Sequence, residues 1–243
     1  MEPIRIAMWS GPRNISTAMM RSWENRGDAA VSDEPLYAHY LKETRVDHPG
    51  RDEIIAACET DWRKVVAYLT GPVPGGKAVW YQKHMTHHLL PGIERGWVKG
   101  LTNAFLIREP TEMITSLAKV TPNPRIEDTG LPQQAALFEQ VREWEGKTPP
   151  VVDARDVLTD PRRMLGLLCE ALGVAFTERM LAWPAGKRAT DGVWAPHWYA
   201  SVEKSTGFEG YRPKNEPVPE RLKTVHDECE GLYRKLWRER LGR

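Results

Sequence analysis

The segment from Pro3 to Arg26 constrains this chain most. Pro3 to Trp9 reads as a short buried strand whose apolar content comes from Ile4, Ile6, Ala7 and Met8. The turn Ser10-Gly11-Pro12 follows. Ile15 to Arg26 then has helical spacing, with Ile15, Met19 and Trp23 four apart on one face. Gly27 is placed to stop that helix. A strand, a glycine-containing turn and a helix start form a cradle for a phosphate-like anion. The first N–H groups of the helix have no intrahelical partner, and the helix dipole adds positive potential there. Arg13 brings a full charge into the turn, and Ser16 and Thr17 bring hydroxyl donors. Gly11, Pro12, Arg13, Asn14, Ile15, Ser16 and Thr17 therefore make the first candidate site. The plainer alternative is an ordinary Gly-Pro turn with Ser16 as a helix cap.

Downstream, strands and helices alternate. Ala29 to Ser32 reads as a second strand, ending at Asp33-Glu34-Pro35, and Asp52 to Leu69 as one helical stretch. The Gly- and Pro-rich segment Gly71 to Gly76 precedes a strand at Ala78 to Gln82. Asn103 to Ile107 reads as a strand and Pro110 to Ala118 as the helix after it. Pro122 to Pro132 reads as an irregular loop, Leu131 to Glu143 as a helix and Pro149 to Asp153 as the last strand. Pro161 to Leu172 is helical and stopped by Gly173. Gly186 to Pro219 has no clean period, and Glu220 to Leu241 closes the chain as an amphipathic helix. This alternation predicts one α/β domain over residues 1–243, a mostly parallel central sheet flanked by helices.

Composition narrows the function classes. Among 243 residues, 41% are apolar and 28% charged with nearly balanced signs, the profile of a globular chain. A net charge of +1 argues against a nucleic-acid partner, which normally demands an excess of Lys and Arg. Cys58, Cys169 and Cys229 are odd in number and lack metal or disulfide spacing. No apolar run approaches the roughly 18 residues of a membrane span. A cytoplasmic protein with no membrane partner is the expectation; its oligomeric state is not legible.

The loop departs from a nucleoside-triphosphatase motif in an informative way. That motif needs G-x-x-x-x-G-K-[ST]. Here Gly11 is followed five residues later by Ser16, so the second Gly and the Lys are both missing, and the basic residue stands earlier, as Arg13. A second anion element follows the strand that ends at Ile107. Arg108 stands at the strand end and Ser116 two turns into the next helix, a spacing that can converge on one phosphate. The plainer alternative pairs Arg108 with Glu109 or Glu112.

Ser10 to Thr17 resembles the 5′-phosphosulfate-binding loop of the P-loop sulfotransferase family, with Asn14 and Ile15 where many members have Ser and Gly. Arg108-Glu109-Pro110 with Ser116 resembles the family's 3′-phosphate site. Asp153 to Leu158, with Asp160-Pro161, is similar to its late strand–loop–helix segment. Lys204-Ser205-Thr206-Gly207-Phe208 resembles the C-terminal segment that covers the cofactor. The resemblance implies a P-loop, sulfotransferase-like fold. It also implies 3′-phosphoadenosine 5′-phosphosulfate (PAPS) as donor, bound through the first loop, Arg108, Ser116, Lys204, Ser205 and Thr206. The reaction implied is sulfuryl transfer to a hydroxyl or amine of a small-molecule acceptor.

That transfer needs a base for the acceptor's proton and cations for the leaving nucleotide, and no metal is obligatory. Lys83-His84 at the end of the third strand resembles the family's Lys-x-His, with His84 or His88 as base. Glu34 is the rival base, because some bacterial members use an acidic residue there. Each of these has a plain alternative, a satisfied histidine or a strand-end salt bridge. No Cys or nearby acid completes a metal set around His84, His87 and His88. The aromatic segment with Trp183, Trp194, His197, Trp198, Tyr199 and Phe208 reads as an acceptor pocket or a packed lid. Two other functions stay open: a small-molecule kinase using ATP and Mg²⁺, and a non-catalytic nucleotide-binding relative.

Overall fold

The computed structural model describes residues 2–214 and 216–243; Met1 and Asn215, the latter inside the aperiodic segment, lie outside them. The elements are β1 (Ile4–Ser10), α1 (Ser16–Glu24), β2 (Ala29–Asp33), α2 (Tyr37–Thr44), α3 (Arg51–Ala57), α4 (Trp62–Thr70), β3 (Val79–Met85), β4 (Thr102–Ile107), α5 (Pro110–Leu117), α6 (Leu131–Glu145), β5 (Val151–Asp153), α7 (Ala154–Thr159), α8 (Pro161–Ala171), α9 (Ala195–Trp198) and α10 (Lys223–Trp237). The strands form one sheet in the order β2-β3-β1-β4-β5, and every neighbouring pair is parallel. This is the expected α/β architecture, with β1 at its centre.

The period-2 alternation of β1 sets the layers. Ile6 and Met8 face Met19, Met20 and Trp23 of α1, together with Leu165 and Leu168 of α8. Ala7 and Trp9 face the opposite layer, built by α4, α5, α6 and α10 through Leu69, Ile114, Phe138 and Leu236. Burying each Leu- or Phe-sized side chain contributes about 1.5–3 kcal/mol, so the doubly covered sheet is the fold's main source of stability. A third apolar cluster lies apart, where α2 and α3 pack against Trp194, Ala195 and Tyr199.

Helix ends follow local chemistry. The Glu109 carboxylate accepts the N–H groups of Thr111 and Glu112 at the start of α5, where Pro110 leads. Gly27 leaves the α1 exit at φ +87°, a backbone shape that suits glycine. The expected helix from Asp52 to Leu69 is instead two. Cys58 turns extended, Glu59 takes the Thr60 and Asp61 N–H groups, and Asp61 caps α4 by accepting from Arg63 N. The apolar spacing ran through a break that capping side chains impose. Helices α7 and α9 are too short for periodicity to announce, and α2 is not among the elements expected from the sequence. Within the stretch expected to be loop, Ile126–Thr129 forms a 3₁₀ turn before α6. The last helix, α10, keeps only Lys223–Trp237 of the span from Glu220 to Leu241. No helix among the described residues is long and apolar enough to cross a membrane.

Candidate active site

The parallel sheet brings the ends of β1, β2, β3 and β4 to one edge, the side where open α/β sheets bind ligands. The first candidate loop leaves β1 there. Helix α1 begins at Ser16 with no side-chain cap from Ile15, so its leading N–H groups stay available to a ligand. Arg13 and Ile15 hold left-handed backbone at φ 64° and 56°. Such angles cost about 1–3 kcal/mol each, the more so for a β-branched residue, and persist only where the surroundings enforce them. The surroundings are tight. A Cβ on Gly11 would lie 2.3 Å from the Thr129 carbonyl oxygen, so only glycine allows this loop to meet the Thr129–Gly130 backbone. Thr86 closes the other side, its hydroxyl reaching the carbonyls of Gly130 at 2.7 Å and Ser10 at 3.2 Å. Asn14 points inward and donates to Leu106 O.

The two candidate anion elements meet. Arg13 Nε donates to Ser116 Oγ at 2.9 Å, and Arg108 Nη1 donates to the Arg13 carbonyl at 2.7 Å. Arg108 also pairs with Glu112 at 3.0 Å, the plain partner weighed from sequence. The structure thus shows the plain pairing, with Arg108 also placed against the first loop. Desolvation and the nearby Arg108 charge push Arg13 below its ordinary range. Lys214, missed from sequence, joins the same positive cluster. Desolvation first, then Arg108, Lys119 and Arg13, lower its proton affinity. Tyr211, three residues before it, donates to Glu112 Oε1 at 2.7 Å and so returns the C-terminal segment to this site.

Lys204, Ser205 and Thr206 sit elsewhere. The Ser205 hydroxyl lies between Trp183 Nε1 and the Val202 carbonyl, and the Thr206 carbonyl accepts from Trp183 N. Their partners belong to the Trp183 strap and not to the first loop. The strap itself is latched to α1, where buried Arg21 pairs with Asp191 at 2.7 Å.

A buried polar network occupies the ends of β2 and β3. Lys83 Nζ donates to Asp33 Oδ1 at 2.8 Å, Glu34 Oε1 at 2.6 Å and the Tyr199 hydroxyl at 2.8 Å. The two carboxylates hold Lys83 charged, well above its ordinary range despite burial. Burial raises the Glu34 proton affinity, opposed by Lys83 and aided by Asp33. Glu34 also has left-handed backbone at φ 39°. His88 Nδ1 lies 4.0 Å from Glu34 Oε2, with the ring packed against Tyr37 and Tyr40 at centroid distances of 4.7 Å each. Burial pushes His88 well down, so it is neutral.

His84 is on the other face of β3. It stacks on Trp9 at 4.3 Å and bonds Gln82, and burial pushes it to about 3. The structure thus brings together Lys83, Glu34 and His88 but not His84. Strand parity separates adjacent residues onto opposite faces. Elsewhere, Glu109, His226 and Glu230 place ligand-type atoms within 4.8 Å of one another. Glu109 there already caps α5, and Glu230 pairs with Arg234.

A family model described as a sulfotransferase domain matches residues 4–226. The chain belongs to the sulfotransferase-domain family. Two Arabidopsis thaliana proteins, branched-chain-amino-acid aminotransferase-like proteins 2 and 1, are 35% and 39% identical to it over 231 and 217 residues. Those alignments cover 95% and 89% of this chain but 41% and 38% of the relatives, so this sulfotransferase-family chain spans about two fifths of their length. Among solved structures, the sulfotransferase from Alicyclobacillus acidocaldarius superposes with a TM-score of 0.58 at 11% identity, covering 97% of this chain and 95% of that one. The sulfotransferase domain from the curacin biosynthetic pathway gives 0.51 at 16% identity, covering 94% and 98%. At such identities these two carry the fold alone.

Proposed function

We propose that the protein transfers a sulfuryl group from PAPS to a hydroxyl or amine of a small-molecule acceptor. The observation that carries this reading is the joined cluster Arg13–Ser116–Arg108 beside the uncapped start of α1. Cations and N–H donors of that kind fit a ligand with phosphates at two positions. In this reading Arg13, Ser16, Thr17 and the leading N–H groups of α1 hold the 5′-phosphosulfate, and Arg108 and Ser116 hold the 3′-phosphate. Lys214 is added to the cations on that side. The donor, when bound, supplies a sulfuryl group already activated on a phosphoanhydride.

Glu34 is the proposed base. Burial lifts its proton affinity toward the working range of a general base, while Lys83 keeps it ionisable. Neutral His88 stands beside it. Lys83 spends its donors on Asp33, Glu34 and Tyr199, so it tunes the base as arranged here. The unpaired cysteines Cys58, Cys169 and Cys229 support a reducing, cytoplasmic compartment.

Thermal stabilisation by adenosine 3′,5′-bisphosphate, compared with ATP-Mg²⁺, tests the donor. Stabilisation by the bisphosphate and little by ATP-Mg²⁺ is expected. The reverse order would favour the kinase, and no response to millimolar bisphosphate would sink the sulfotransfer reading.

A further inference from the structure

The two carboxylates after β2 are partnered unequally. Asp33 accepts from Lys83 on Oδ1, and on Oδ2 from the Tyr199 hydroxyl at 2.5 Å and the Gly192 N–H at 3.2 Å. Among the described residues, Glu34 accepts from Lys83 alone through its side chain, and His88 Nδ1 opposite it has no hydrogen-bond partner. The charged or titratable groups around Glu34 are Lys83 of β3, His88 after it, Tyr199 after α9, and Asp33 and Tyr37 on its own stretch. One ammonium is therefore shared between two carboxylates, with Tyr199 touching both the ammonium and Asp33.

We propose that Asp33 and Tyr199 are positioning residues that set how readily Glu34 takes a proton, by fixing how much of the Lys83 charge Glu34 receives. The proposal rests on Glu34 as the base and adds what tunes it. A like charge beside a carboxylate makes it hold its proton, and an opposite charge makes it release it. Removing the Asp33 charge leaves Lys83 to Glu34 alone, so the Glu34 proton affinity falls. Removing the Tyr199 hydroxyl takes a donor from Asp33 and an acceptor from Lys83. The ammonium then moves toward Asp33, and the Glu34 proton affinity rises. Opposite signs are not what general loosening of a structure produces.

The test is a pH titration of the full chain by difference infrared spectroscopy, with the protonated-carboxyl band of Glu34 assigned by its loss in Glu34→Gln. Asp33→Asn is expected to lower the midpoint by roughly one pH unit, and Tyr199→Phe to raise it. Unchanged midpoints, or shifts of the same sign, would overturn the proposal. If Asp33→Asn does not fold, Tyr199→Phe keeps every formal charge and decides alone: an unmoved or lowered midpoint overturns it. Bisphosphate stabilisation is measured on the same samples. Its absence alongside shifted midpoints would remove the donor reading and leave the positioning roles standing.

Discussion

Arg13 Nε donates to Ser116 Oγ across 2.9 Å, joining the loop after β1 to the helix after β4. The contact joins the two candidate anion-binding elements into one unit, while the proposed base sits on the β2–β3 side. The proposed donor binding and the proposed proton transfer can therefore be tested by separate mutations.

Arg13→Ala is expected to weaken stabilisation by adenosine 3′,5′-bisphosphate strongly, since a charge-assisted hydrogen bond contributes about 1.5–3 kcal/mol. That is roughly ten- to hundredfold in Kd. Glu34→Gln is expected to bind the bisphosphate as the parent does. Equal behaviour of the two variants in calorimetric titration would remove the division into donor and acceptor sides.

Gly11→Ala forces a methyl group to within 2.3 Å of the Thr129 carbonyl oxygen. The backbone must give way on one side, at a cost of about 1–3 kcal/mol. Urea denaturation should register that loss together with weaker bisphosphate binding. A variant as stable as the parent would show that the loop and the Thr129–Gly130 turn separate easily.

Acid should destabilise the protein below neutrality. His84 and His87 are held down to about 3 by burial, and His88 is held well below its ordinary range. As pH falls below about 6.5, the unfolded chain takes up these protons and the native chain does not. Stability is then full above that value and is lost toward about 3, at about 1.4 kcal/mol per pH unit for each histidine. The raised carboxyls of Glu34 and Asp153 work in the opposite sense. Urea midpoints should be lower at about pH 5.5 than at about pH 7.5. His84→Phe, which keeps the stack on Trp9, should flatten that slope, and an equally steep slope in the variant would show that His84 does not contribute.

Asp191→Asn should loosen the strap that carries Tyr199. Arg21 and Asp191 are 1% and 5% exposed at the side chain, and breaking so buried a pair costs about 3–5 kcal/mol. Amide exchange across residues 186–199 should quicken along with the loss of stability. Exchange as slow as in the parent would mean that the Asp33 and Trp183 contacts hold the strap without the latch.

The strand, turn and helix around Ser10–Thr17, the parallel α/β class, and the place of Arg108 at the end of a strand were legible in the chain itself. Each is encoded by short-range chemistry: periods of two and 3.6, a glycine in a turn, an Arg at a strand end. What crosses the sheet was not legible. The Arg13–Ser116 bond and the network of Asp33, Lys83 and Tyr199 join positions 103, 50 and 166 residues apart. Strand order decides such meetings, and no local period encodes strand order. The same cause explains the histidines. Lys83 and His84 are neighbours in sequence, but β3 turns one toward Glu34 and the other onto Trp9. The break between α3 and α4 is the smaller lesson, that a capping Asp61 outweighs an unbroken apolar stripe. The candidate loop was thus determined by the sequence, and its partners by the tertiary structure.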